Sequence, residues 1–393
     1  MSKEFYIEVD CEQKNHHGEK ICGDVFLSKR IREEGRIIAV LSDGLGHGVK
    51  ANILATLSAT MALNFTREHK DIEKIASVIM KTLPVCSERK ISYATFTIID
   101  IEADGRLTIM EFDNPPSLII RNKEVYEPVW TAVEIKEGRH TGRRLNACSF
   151  MAEKEDRIIS CTDGVIQSGM GSSNLPFGWG RDNLVSYSKR IVSSDPAISA
   201  GRLASRIINI AGRNDGYRLK DDTSCASIYF REPRKLLLCT GPPYNKDNDT
   251  LLAENINKFD GKIILSGGTT ADIVARETGR EVIDNMIFED PELPPESFIK
   301  GIDLVTEGIL TLQKVCGILE NYTKYKAAKG PADKIVRMLM ESDEIKFIIG
   351  TRINIAHQDP NLPVDLEMRR NVIKKIAALL EEKWLKEVCL EFI

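Results

Sequence analysis

The sequence predicts an α+β chain in two parts: an antiparallel β domain flanked by helices over residues 1–231, then a smaller α/β domain with a mainly parallel sheet over 236–393. Three observations predict it. Across the first part, short runs alternate apolar and polar residues at period two and are split by tight turns. Across the second, strand-like and helix-like runs alternate, the pattern of a parallel sheet covered on both faces. Between them, Glu232 to Lys235 reads as a linker.

At 393 residues the chain is long enough for two or three domains with full cores. Its 54 basic and 58 acidic residues are interspersed, so no basic stripe proposes nucleic acid. No apolar stretch approaches the roughly 20 residues that span a bilayer, and the opening MSKEFYIEVD has no signal pattern, so no membrane and a cytoplasmic setting are expected. The nine cysteines are scattered, with no C-x-x-C pair, and Cys161, Cys225 and Cys239 sit in apolar runs as small hydrophobes.

Phe5, Ile7 and Val9 mark a first half-buried strand, and Glu19 to Leu27 a second. Gly23-Asp24 puts a carboxylate inside that apolar run, which is costly unless it is paired or bound to a cation. Ile37 to Leu41 form a strand buried on both faces, ended by Ser42-Asp43 and then by Gly44, Gly46 and Gly48. An Ala-rich helix follows, with Leu54, Leu57, Met61 and Phe65 at helical spacing. Asp43 is thus delivered to a strand's C-terminal lip, where the glycines let backbone groups approach whatever it holds. Asp71 to Leu83 reads as a second amphipathic helix. Tyr93 to Asp100, Arg106 to Phe112, Ser117 to Arg121 and Glu124 to Trp130 read as strands of an antiparallel meander.

Arg157 to Gly164 (RIISCTDG) repeats the Asp43 device with Asp163. Ile166 to Leu184 reads as a mobile surface loop with Phe177 or Trp179 as its anchor, and Ala197 to Ala211 as a helix. Lys220 to Phe230 sets Asp221 and Asp222 at the mouth of another apolar strand. Four separated acidic sites at strand ends, without Cys or a His pair at ligand spacing, suit hard cations such as Mg2+ or Mn2+ rather than Zn2+. Two such ions about 3.5–4 Å apart would orient a water, lower its pKa and neutralise phosphate oxygens under in-line attack.

In this order, LSDGLGHG with its Ala-rich helix, FDNPPSLIIR, SCTDGV, PFGWGRDNL and KDDTS resemble the stage II sporulation protein E-type branch of the metal-dependent type 2C serine/threonine protein phosphatases. The resemblance covers about residues 1–231. It implies a two-sheet antiparallel αββα sandwich and a dinuclear Mn2+ or Mg2+ site between the sheet edges. Asp43 would bridge both ions, with the Gly44 carbonyl and Asp24 on the second, and Asp163 with the Asp221-Asp222 pair on the first. Within that pair, Asp221 aligns with the family's ligand and Asp222 would orient it. The implied substrate is a phosphoserine or phosphothreonine on a bacterial protein, of the kind of an anti-sigma antagonist. Two departures stand out. Asp113-Asn114-Pro115-Pro116 replaces the family's Ala-Gly-His-Pro, and the His beside the bridging Asp-Gly of eukaryotic relatives is here Leu45, with His47 two residues on.

In the second part, strand-like Arg234 to Cys239, Gly261 to Gly268, Glu281 to Ile283, Gly301 to Thr306 and Glu344 to Gly350 alternate with helical runs. A long amphipathic helix spans about Leu366 to Glu387. Ser266-Gly267-Gly268-Thr269-Thr270 lies between a buried strand and a helix N-terminus, where free amides favour an anion, and Thr306-Glu307-Gly308 and Gly350-Thr351-Arg352 occupy equivalent strand ends. No P-loop string is present. This part is expected to bind a small anionic ligand and regulate the first. The alternative reading is a ligand-sensing switch protein that uses the phosphatase fold as a partner-binding surface; a phosphatase for a small metabolite is a third.

Overall fold

The computed structural model describes residues 5–31, 33–68, 74–75, 78–79, 94–135, 141–285, 287–322, 328–352, 362–384 and 386–393, without the side chains of 362–366. The chain divides into two compact units, Met1–Glu232 and Pro233–Ile393.

The first unit holds two antiparallel sheets. One joins β1 (Tyr6–Lys14), β11 (Thr223–Arg231), β10 (Arg157–Cys161), β6 (Leu118–Arg121) and β7 (Glu124–Val125) in that spatial order. The other joins β2 (Asp24–Ile31), β3 (Arg36–Gly44), β4 (Ala94–Ile101), β5 (Arg106–Phe112), β9 (Arg144–Met151) and β8 (Thr131–Glu134). Ile37, Ala39, Ile99 and Ile109 of one sheet pack against Ile119, Ile158, Ile228 and Phe230 of the other. On its outer face the second sheet carries α1 (Gly48–Glu68), through Ile38, Val40, Ala59 and Ala62. The first sheet carries α3 (Gly180–Ser194) and α4 (Ala200–Asn214), through Ile159, Cys225, Leu184 and Ile207. These are the four layers of an αββα sandwich.

Several elements differ from the sequence reading. Glu19 to Gly23 lies in turns, and β2 begins at Asp24. The 94–130 stretch is not one meander: β4 and β5 pair as a hairpin, but after Asn114-Pro115-Pro116 the chain crosses to the other sheet, where β6 pairs with β10. Two prolines at that crossing cannot donate to a continuing ladder. Glu124 to Trp130 holds two strand residues, β7, and β8 starts at Thr131. Helix α3 and strand β9, neither of them read from the sequence, complete the layers. The loop anchor is Trp179, 7% exposed, whereas Phe177 is 89% exposed. The helix expected over Asp71 to Leu83 lies largely outside the described residues, although Ile75 and Ile79 are buried in the core against α1 and its sheet.

In the second unit, β12 (Lys235–Thr240), β13 (Lys262–Ser266), β16 (Leu304–Thr306), β17 (Glu344–Ile349) and β18 (Glu387–Phe392) run parallel in the order β16-β13-β12-β17-β18. The antiparallel β14 (Val282–Asp284) and β15 (Ser297–Ile299) extend the β16 edge. One face is covered by α5 (Asn248–Lys258) and α6 (Gly268–Thr278), the other by α7 (Ile309–Glu320), α8 (Pro331–Glu341) and α9 (Leu362–Trp384). The last helix ends three residues before Glu387, and the chain closes on β18, an edge strand whose half-exposed residues leave a weak apolar signal.

Candidate metal and phosphate site

Strand β3 is buried at every residue except Asp43, so an apolar strand ends on one carboxylate that reaches the surface of the sandwich. Antiparallel pairing sets Asp24 at the start of β2 opposite Asp43. Gly44 must be glycine: a Cβ there would lie 2.1 Å from the Ala51 carbonyl oxygen, so the first turn of α1 presses directly on the end of β3. From the other sheet, β10 ends at Cys161, and after Thr162 the one-turn helix α2 (Asp163–Ile166) presents Asp163. Gly164 is held to the same standard, since a Cβ would meet the Asp222 carbonyl oxygen at 2.2 Å. Asp221 and Asp222 stand just before β11.

Asp43, Gly44, Asp163 and Asp221 line one pocket of about 460 Å³ together with Leu45, Gly46, His47, Ala94, Thr95, Asp113, Arg143 and Lys220. Asp24 and Asp222, each 2% exposed, lie behind its wall. Asp24 Oδ2 accepts hydrogen bonds from Thr162 Oγ1 (2.8 Å) and Ser224 Oγ (2.7 Å), so its carboxylate ties β2 to the opposite sheet. Asp222 Oδ1 accepts from the His16 amide at 3.0 Å, and its own amide donates to Asp221 Oδ1 at 2.8 Å. Asp163 Oδ2 accepts from Gln167 Nε2 at 2.8 Å.

The remaining oxygens Asp24 Oδ1, Asp163 Oδ1 and Asp222 Oδ2 are buried without a hydrogen-bond partner. Burial, followed by repulsion from Asp24, Asp163 and Asp221, pushes Asp43 up to about 10. Burial also raises Asp24 to about 7, against the hydrogen bonds from Ser224 and Thr162, and raises Asp221 to about 6 with Asp163 adding to it. Carboxylates held this way lack positive compensation, and an all-oxygen set with orphaned lone pairs is what a hard divalent cation would satisfy. Among the described residues no three His, Cys, Asp or Glu side chains close as a cage on one point. That suits an ion such as Mg2+, which keeps several waters and takes one or two carboxylates. The residues therefore fit the Mn2+ or Mg2+ expected from the sequence.

Four features were not read from the sequence. Arg143 and Lys220 bring positive charge to the pocket; Arg143 pairs with Asp113 at 2.8 Å, and Lys220 Nζ donates to the Met170 carbonyl at 2.7 Å. Thr162 and Ser224, inside the SCTDG and DDTS strings, brace Asp24. Lys220 directly precedes the acidic pair and was open to notice; Arg143 carries no local signal. In the departure at 113–116, Asn114 is 8% exposed, takes the Thr95 hydroxyl hydrogen and donates to the Leu41 carbonyl (3.4 Å) and Thr97 (3.2 Å), bracing β3 on β4. His47 bonds Glu19 at 2.8 Å and stacks on His16 with ring centroids 4.5 Å apart.

The family described as Stage II sporulation protein E (SpoIIE) matches residues 33–231. No curated protein sequence matches the chain. Among solved structures, it resembles the PP2C phosphatase domain with a regulatory fragment of SpoIIE from Bacillus subtilis, at 17% identity over 58% of this chain and 65% of that one, TM-score 0.48. The B. subtilis SpoIIE phosphatase domain in a crystal form without domain swapping is 14% identical over 59% of this chain and 95% of its own, TM-score 0.45. The S. agalactiae serine/threonine phosphatase is 13% identical over 57% and 99%, TM-score 0.41. The chain thus spans just under two thirds of the first of these.

Proposed function

The chain belongs to the stage II sporulation protein E family, and from that premise we propose that its first unit is a metal-dependent phosphatase acting on phosphoserine or phosphothreonine of a protein. The observation that supports this best is the set of carboxylates from two sheets, three of them with buried, unpartnered oxygens, around one open pocket that also holds Arg143 and Lys220. Asp43, the Gly44 carbonyl, Asp24, Asp163 and Asp221 would hold two Mn2+ or Mg2+ ions, with Asp222 fixing Asp221 through its amide. Bound there, the ions would supply charge neutralisation for the phosphoryl oxygens and a lowered pKa for the attacking water.

The protein's own residues do the rest. Thr162 and Ser224 hold Asp24 in place from the opposite sheet. Arg143 and Lys220 attract and orient the incoming phosphate, Arg143 by exchanging its bond to Asp113. The described lining residues include no Cys or Ser, and the Thr95 hydroxyl is committed to Asn114, which agrees with attack by a water rather than by a protein thiol or hydroxyl. The partner would be a bacterial regulatory phosphoprotein of the anti-sigma-antagonist kind, and a ligand of the second unit would regulate turnover. Incubating the purified chain with phosphothreonine and phosphotyrosine peptides and with p-nitrophenyl phosphate, with Mn2+ or EDTA, tests the reading. Mn2+-dependent phosphate release that favours phosphothreonine supports it. Equal or exclusive use of small phosphate esters would assign a metabolite phosphatase instead. A second reading is a partner-binding surface with little turnover; unchanged phosphopeptides with every ion, in a protein that still captures them, would select it.

A further inference from the structure

We propose that the second unit binds a phosphorylated sugar, free or as a nucleotide, at the C-terminal edge of its parallel sheet where β12 and β17 diverge. The chain builds β12, β13 and β16 outwards in one direction, then returns to add β17 and β18 on the other side of β12. The connections after β12 and β17 therefore leave in opposite directions, which makes their C-terminal ends the place where a parallel sheet forms its ligand crevice.

The residues at that edge are unlike the sheet below it. Thr240, Ser266 and Thr306 are the last residues of three adjacent parallel strands, in register with one another and so on one face. Below them, Leu238, Ile264 and Leu304 continue the same face as apolar core. Ser266 and Thr306 hydroxyls both donate to the Glu307 carbonyl, at 3.0 Å each. The Thr240 hydroxyl, on a residue 1% exposed, has no partner. A buried hydroxyl without a partner is costly, and nothing in the fold requires one there.

Each turn beyond it begins with a glycine that has no room for a side chain. Gly241 has φ +82°, and a Cβ on it would stand 2.6 Å from Arg369 Nη1. A Cβ on Gly350 would stand 2.2 Å from the Gly241 and Pro242 carbonyl oxygens. Two glycine turns thus meet above the crevice, with the Arg369 guanidinium laid against one of them. Arg369 lies one turn before Ile373 on the stripe Ile373, Ile376, Leu380 by which α9 packs on the sheet. Arg352 is fixed over the β12 turn by its amide bond to the Pro242 carbonyl (3.2 Å), and its Nη1 is buried without a partner. Two guanidiniums and an unpartnered hydroxyl beside these glycine turns form a site for a phosphate.

The neighbouring turn differs in sign. The Gly267–Thr270 turn, singled out by its sequence, has Glu307 Oε1 3.7 Å from the position of a Gly268 Cβ, and the Thr270 hydroxyl, fully buried, is also without a partner. A carboxylate and a hydroxyl suit the hydroxyl groups of a sugar rather than a second anion. Phosphate at β12/β17 and sugar hydroxyls toward β13/β16 give one ligand spanning the crevice.

The test is thermal shift and calorimetry on the full chain in EDTA, with inorganic phosphate, ribose 5-phosphate and AMP as probes. Ribose 5-phosphate or AMP should stabilise the protein saturably and bind more tightly than phosphate; which of the two binds better separates a sugar-phosphate site from a nucleotide site. Thr240→Val should melt higher without ligand, because an orphaned hydroxyl is gone, yet bind about tenfold more weakly, and Arg369→Gln and Arg352→Gln should bind at least as weakly. Asp43→Asn should bind as the parent does, which separates this site from the phosphatase pocket. No stabilisation by any probe, parent-like binding by Thr240→Val and Arg352→Gln, or loss of binding in Asp43→Asn would each overturn the proposal, whether or not the first unit proves to be a phosphatase.

Discussion

Asp43 faces Asp24 across β2 and β3, with Asp163 and Asp221 arriving from the opposite sheet, so burial first and repulsion from these neighbours second raise the proton affinity of Asp43. The folded protein holds protons on Asp221 up to about 6, on Asp24 up to about 7 and on Asp43 up to about 10, against 3.8 ordinarily. Because these folded values lie above the unfolded one, their contribution to stability is complete below about pH 4 and is lost as pH rises through 6, through 7 and, for Asp43, on to about 10. Without divalent ions, the melting temperature should therefore fall between about pH 5 and about pH 8, and the rise produced by Mn2+ should grow over the same range. Differential scanning fluorimetry with EDTA and with Mn2+ checks both slopes. Asp43→Asn should remove both the cost of taking up a proton on folding and the ion site, stabilising the ion-free protein by about 2–4 kcal/mol while abolishing the Mn2+ shift. These acidic residues were legible because a carboxylate at the end of a buried strand is locally out of place. Arg143 was not: its place in the pocket comes from pairing of β8 with β9, and no local pattern signals it.

Elements reach the site through close backbone approaches. Gly44→Ala would put a methyl 2.1 Å from the Ala51 carbonyl oxygen, forcing α1 off β3. We expect a loss of about 2–4 kcal/mol in chemical denaturation, together with loss of the Mn2+ response, whereas alanine at Gly46, with no neighbour within 4 Å of its Cβ position, meets only the cost of its positive φ. At the other end of β3, the buried Arg36 grips Asp100 bidentately (2.8 and 2.7 Å) and donates to the Thr66 and Arg67 carbonyls at the last turn of α1. Arg36→Met should cost about 3–5 kcal/mol, because it leaves Asp100 buried without its cation. The strongly periodic elements were readable from the sequence: β3, β11 and α4 each carry a long uniform pattern. The crossing after β5 was not, because a hairpin and a change of sheet begin with the same turn residues, and only the partner of β6, more than thirty residues away in β10, decides between them. Helix α3 hid behind a glycine-rich approach, and β18 behind its edge position.

At the scale of the whole molecule, two units carry separate cores: among the described residues, three apolar clusters lie in Met1–Glu232 and two in Pro233–Ile393. Among the described residues no helix is long and apolar enough to cross a membrane. The change from antiparallel to alternating β/α patterning was visible in the sequence, whereas the order β16-β13-β12-β17-β18 was not, because strand order depends on contacts between segments up to about 110 residues apart. Residues 1–232 expressed alone should fold cooperatively and keep the full chain's Mn2+-dependent rise in melting temperature, a result that fluorimetry on the fragment decides. The central claim is that the carboxylates of the first unit hold the ions that make a phosphatase. Hydrolysis of p-nitrophenyl phosphate by the full chain, measured in EDTA, Mg2+ and Mn2+ beside Asp43→Asn, tests it most directly. Turnover should require a divalent ion and fall by about a hundredfold or more in Asp43→Asn. Turnover that persists in EDTA, or that survives the loss of the Asp43 carboxylate, would contradict it.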